Sequence, residues 1–160
     1  MKNSIVLAAF VTASVMAGSA HASIEIDAFN DKLQEEYKEY TDNLNKEAGL
    51  TGAKQIKGGY VTSTFPAGVY TNGGSYGLTT YVRSSCTSGV QAVRDLVVDK
   101  AIFKKAIVAK ITDVSCAYGG KGKDKFKITL TGSKLLVTVS EEVYGAEVAE
   151  KVTAFVKAKL

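Results

Sequence analysis

The chain has 160 residues, 46% of them hydrophobic, with one proline, two cysteines, one histidine and a formal net charge of +4. That composition excludes a disordered linker and suits one domain with a real core. The single histidine, His21, sits in a leader-like N-terminus. Nothing after it can supply a Ser-His-Asp or Cys-His nucleophile, or the imidazole that zinc and copper sites normally use.

Lys2 gives a positive start, Ile5 to Met16 form an uncharged apolar core, and Ala20-His21-Ala22 has the small-x-small pattern of a cleavage site. This layout predicts a secretory signal peptide over 1–22, cleaved after Ala22. Its apolar stretch is about 12 residues, short of the ~20 that span a bilayer. No integral membrane segment is therefore expected after cleavage. The short positive region and the Ala-x-Ala end point to a periplasmic or secreted protein. Export implies an oxidising compartment, where Cys86 and Cys116 are expected to pair. A C-x-x-C redox spacing is absent. Closing the ~31-residue loop should stabilise the fold by about 3–4 kcal/mol on the chain-entropy model.

Residues 23–48 read as an acidic amphipathic helix. Ile26, Phe29, Leu33, Tyr37, Tyr40, Leu44 and Ala48 recur at three- and four-residue steps. Gly49 is placed as the left-handed residue that ends it. The other face carries Asp31, Glu35, Glu36, Glu39, Asp42 and Glu47, and the segment holds eight acids against three lysines. A solvated outer face is the plain reading of those acids.

A Tyr- and Gly-rich hairpin is expected over 58–85. Tyr60 to Phe65 favour a strand that Pro66 stops. Asn72-Gly73-Gly74 is a turn, and Tyr76 to Arg83 is the return strand. Tyr60, Tyr70, Tyr76 and Tyr81 are candidates for an aromatic binding surface, since tyrosine joins an apolar ring to a polar tip. Cross-strand packing is their ordinary alternative.

The unit 86–160 reads α-β-β-β-α. Ser88 begins a helix with Val90, Val93, Val97 and Ala101 on one face, ending near Lys104-Lys105. Ile107 to Cys116 follow as one long strand. Gly119 to Asp124 are a loop by composition. Phe126, Ile128 and Leu130 alternate with polar residues, Gly132-Ser133 turn, and Leu135, Val137 and Val139 alternate again, giving two half-buried strands. Ser140 caps the last helix, with Glu141 and Glu142 in its first turn and Tyr144, Val148, Val152 and Phe155 as its stripe.

The expected fold is a single α+β domain over 23–160. Its sheet is antiparallel, of about four or five strands, with helices packed on one face. The order is α-β-β-α-β-β-β-α, clasped by one disulfide. The order in 86–160 resembles the double-stranded-RNA-binding domain. That family begins its last helix with basic residues, where Glu141 and Glu142 stand here. Export also separates the chain from RNA, so no nucleic acid partner is expected.

Charge is unevenly divided: residues 49–160 hold sixteen basic and eight acidic residues. Lys121, Lys123, Lys125 and Lys127 put four cations within seven positions of a glycine-rich loop, which suits a phosphate, an anionic glycan or an acidic protein patch. The expected function is a non-catalytic, exported binding protein using this loop and the tyrosine hairpin. An inhibitor or immunity-type protein against a toxin or hydrolase is the alternative. A carboxylate- or Ser/Lys-based hydrolase is the remaining one, with no motif for it. No metal and no cofactor are expected.

Overall fold

The computed structural model describes residues 13–61 and 78–160, with side chains over 27–61 and 80–160. Among these residues it is an α+β fold of four helices and a four-stranded sheet. Residues 1–12 of the expected leader lie outside the described residues, and Ala13 to Ala22 continue the first helix.

Helix α1 (Ala13–Ala48) presents the expected stripe. Leu33, Tyr37, Leu44 and Ala48 are buried, and Phe29 and Tyr40 are partly buried against the same core. Its end is a Schellman motif: Leu50 N donates to Asn45 O at 2.9 Å and Gly49 N to Lys46 O at 3.1 Å, with Gly49 at φ 71°. Strand β1 (Lys57–Val61) follows. The turn at Asn72-Gly73-Gly74 lies outside the described residues.

The expected return strand is not formed where it is described: Leu78–Asp99 is one helix, α2. Tyr81 and Arg83 therefore sit on a helix, and α2 starts ten residues before Ser88. Val82, Cys86, Val90, Val93 and Val97 are buried at helical spacing, and that stripe outweighs the strand preference of Thr, Tyr and Val. Lys100 is extended (φ −146°, ψ 136°), and a separate helix α3 (Ala101–Lys110) replaces the first part of the expected long strand. Ile107 and Ile111, four residues apart, are both buried. Lys104 Nζ donates to Glu47 O near the end of α1 (2.8 Å). Lys110 Nζ donates to Leu160 O (2.8 Å) and Lys159 O (3.3 Å) at the end of the last helix. Helix α3 thus sets cations at the negative ends of two helices.

Strands β2 (Asp113–Gly120), β3 (Lys127–Thr131) and β4 (Lys134–Ser140) complete a sheet of order β1-β2-β4-β3. The sheet is mixed, not antiparallel. β1 pairs parallel with β2, and β2 parallel with β4; the β3–β4 hairpin alone is antiparallel. The helical crossover from β1 to β2 imposes the first parallel pair. The adjacent β2–β4 pair also departs from the RNA-binding order. Helix α4 (Gly145–Lys159) begins at an N-cap Tyr144, so Ser140, Glu141 and Glu142 precede it and cap nothing.

One sheet face buries Val114, Cys116, Leu135, Val137 and Val139 beneath the helices, with α2 central between α1, α4 and the sheet. Cys86 and Cys116 form the expected disulfide, with Cα atoms 5.6 Å apart and both residues fully buried. It joins the body of α2 to the middle of β2. No described helix is long and apolar enough to cross a membrane.

Candidate anion-binding site

Lys121, Lys123 and Lys125 stand on the connection from β2 to β3 and Lys127 opens β3, at the carboxyl ends of the parallel strands. The connection is a tight, hydrogen-bonded turn. Gly120 and Gly122 have φ of 110° and 101°, which a side chain rarely adopts. Residues Lys123–Lys125 make a short 3-10 turn in which Lys125 N donates to Gly122 O (3.1 Å) and Phe126 N to Lys123 O (3.2 Å). Glu141 N ties Gly120 O to the next turn at 3.3 Å, and Phe126 packs against the core. The cations are thus carried on a braced backbone.

Lys121, Lys123, Lys125 and Lys127 are all exposed. Among the described residues only Lys125 is in a salt bridge, with its neighbour Asp124 at 3.0 Å. The hydrogen bond from Lys125 and its charge, with a smaller part from Lys127, hold the Asp124 carboxyl below the usual range. Nearby, Tyr118 OH donates to Glu141 at 2.6 Å. Burial first, then that bond, raises the Tyr118 hydroxyl above the usual tyrosine range. The Glu141 carboxylate is therefore engaged by a phenol. The turn keeps a positive excess.

The tyrosine surface is not assembled as expected. Tyr60 is 2% exposed and faces the core, opposite Cys116 in the sheet register, so it presents no ring to a partner. Tyr70 and Tyr76 lie outside the described residues. An aromatic pair that the sequence reading did not assemble lies elsewhere: Tyr81 of α2 and Tyr144 have ring centroids 4.9 Å apart, and Tyr144 is exposed. Its signal in the sequence is faint, since Tyr144 sits in phase with the α4 stripe.

The acidic face of α1 is on the surface, with Glu36 bonded to Arg83 at 2.5 Å and Asp42 to Lys38 at 2.5 Å. Among the described residues no group of three or more His, Cys, Asp or Glu side chains is arranged to hold a metal ion. Comparison with protein-family models, curated proteins and solved structures gives no match.

Proposed function

We propose that this chain is an exported, non-catalytic binding protein whose Lys121–Lys127 turn takes an acidic protein surface. One observation supports this above the rest. Four exposed cations ride on a hydrogen-bonded turn with a single salt-bridged acid among them. Such a turn speeds and orients encounter with an anionic partner more than it supplies raw affinity. Each exposed charge pair contributes only ~0.2–1 kcal/mol, so four contacts give modest, salt-sensitive binding. A preformed turn also loses less entropy on binding than a floppy one.

The test compares wild type with a variant carrying Gln at 121, 123, 125 and 127. The purified proteins capture partners from a periplasmic extract at two salt concentrations. Recovery of a partner by wild type that is lost in the variant and in high salt supports the reading. Equal recovery by both proteins removes the turn from any binding role. Capture of a toxin or hydrolase would make the protein its inhibitor, and release by a glycan digest would replace protein with glycan as the partner.

A further inference from the structure

The opposite end of the sheet carries a second cationic feature with a different shape. The amino ends of β1, β2 and β4 lie side by side, and Lys57, Asp113 and Lys134 face one another across them in register. The eight residues of β2 separate this row from the Lys121–Lys127 turn by roughly 25 Å, at ~3.3 Å per residue. Beside the row opens a cavity of about 460 Å³, within the size range of small-ligand sites.

Its lining is divided by chemistry. Leu50 and Val108, both half-buried against the core, form the floor. Lys54, Lys57 and Lys134 are exposed around the rim, with Asp113 between them. Asp113 offsets one of these three charges, so the rim keeps a positive excess. The Asp113 carboxylate accepts from Ser115 Oγ at 2.5 Å, and no described salt bridge joins it to a lysine. None of the three lysines is in a salt bridge among the described residues. The wall is rigid: Thr112 N and Asp113 N both donate to Ser133 O (2.9 and 3.4 Å), and the Thr112 and Ser133 hydroxyls are 2.7 Å apart.

We infer that this pocket binds a small organic anion, a carboxylate on an apolar body. Three ammonium groups against one rim carboxylate leave a positive excess, and they take the ligand's carboxylate as point charges, which ask for no bidentate geometry. Water over Leu50 and Val108 is the part an apolar body displaces with gain. A bare inorganic anion would use only the rim, and a neutral chain only the floor. The site lies away from the Lys121–Lys127 turn and stands or falls separately from the reading of it.

The experiment is an NMR titration of the purified protein with three probes. Octanoate carries both halves of the ligand, acetate the head alone and octanol the body alone. Octanoate should shift the amides of Gln55, Lys57, Thr112 and Asp113 saturably, with a Kd of ~1 mM or tighter, as suits a ligand of its size. Acetate and octanol should each bind at least fivefold more weakly. The double variant Lys57→Gln/Lys134→Gln should weaken octanoate about tenfold. Lys54→Gln, on the loop outside the sheet, should weaken it about threefold and provides a variant whose folding is not in question. No saturable shift by about 10 mM, octanol binding as well as octanoate, or unchanged affinity in both variants would each overturn the assignment.

Discussion

The two edges of the sheet are finished in opposite ways. At β1, helix α1 lays two side-chain amides against the free backbone. Asn45 Nδ2 donates to Ile56 O (2.9 Å) while Ile56 N donates to Asn45 Oδ1 (2.7 Å). Three turns earlier on the same helix, Gln34 Nε2 donates to Tyr60 O (2.7 Å) and Tyr60 N to Gln34 Oε1 (2.8 Å). Each amide supplies one donor and one acceptor, as a neighbouring strand would. At β3 no described strand or helix does this, and the strand is five residues long with Lys127 at its start. One edge is closed by hydrogen bonds; the other, of the same five-residue length, is guarded by its charge. A closed edge serves stability, whereas an open one beside a cationic turn stays available to a partner.

The closed edge should break first at Gly58. A Cβ there would lie 2.5 Å from Val114 O, 2.8 Å from Thr41 Oγ1 and 3.2 Å from the Tyr37 ring. The first neighbour is backbone of the adjacent strand and cannot swing away. Gly58→Ala should cost about 3 kcal/mol, read by urea unfolding. A cost under ~0.5 kcal/mol would mean that α1 does not press on β1.

Asn45→Ala tests the amide directly. It leaves the buried Ile56 N–H and C=O without partners, which should cost about 2 kcal/mol. Gln34→Ala should cost about half as much, because its bonds to Tyr60 are only partly buried and water can replace them. Equal small losses from both would reduce the amides to surface decoration. Hydrogen exchange of the Ile56 amide should quicken in the Asn45 variant alone.

Much of this closed edge escapes a reading of the sequence. The stripe that faces the core is legible: Leu33, Tyr37, Leu44 and Ala48 fall at helical steps because burial repeats every 3.6 residues. Gln34 and Asn45 border that stripe, but polarity alone cannot tell an edge-closing amide from a solvated one. The β3–β4 hairpin is legible because Ile128, Leu130, Leu135 and Val137 alternate about Gly132-Ser133 and the contact is local. The parallel pairs are not, since a strand buried on one face reads alike in either direction. The first turns of α2 and the end of α3 read as strand for a related reason. Tyr81, Val82, Ile107 and Val108 favour strands locally, and only packing on the disulfide-linked core decides for helix. The cationic turn was legible in its charge, and its bracing was not.

Tyr37 sharpens the comparison from beneath the closed edge. It is fully buried, and its hydroxyl has no hydrogen-bond partner among the described residues. Burial first, then the Asp113 charge, raises this hydroxyl above the ordinary tyrosine range. The folded state thus holds the proton more tightly than the unfolded chain. The stabilisation is complete below about pH 10 and lost above it, as the unfolded tyrosine ionises first. Tyr37→Phe removes an unpaired polar atom at nearly constant shape and should raise stability by ~1 kcal/mol at pH 7. It should also soften the alkaline loss in a series of unfolding curves between pH 8 and 11. A destabilised variant would mean that the hydroxyl is bonded in solution.

The open edge should answer in association rather than stability. Lys127 starts β3, is exposed, and faces away from the helices across from Thr138. No ion pair holds it among the described residues. Replacing it by valine breaks no described salt bridge, so unfolding should shift by less than ~0.5 kcal/mol. The exchange does turn the edge into a run of Val, Ile, Thr, Leu and Thr with its charge gone, the composition that pairs with another chain. Sedimentation velocity over a hundredfold range of concentration should show Lys127→Val self-associating where wild type does not. Lys127→Glu, which restores a charge of opposite sign, should be monomeric again while losing capture of an acidic partner. A variant that stays monomeric throughout with valine would place the guard elsewhere on β3, and equal partner capture by the glutamate variant would separate this lysine from the binding turn.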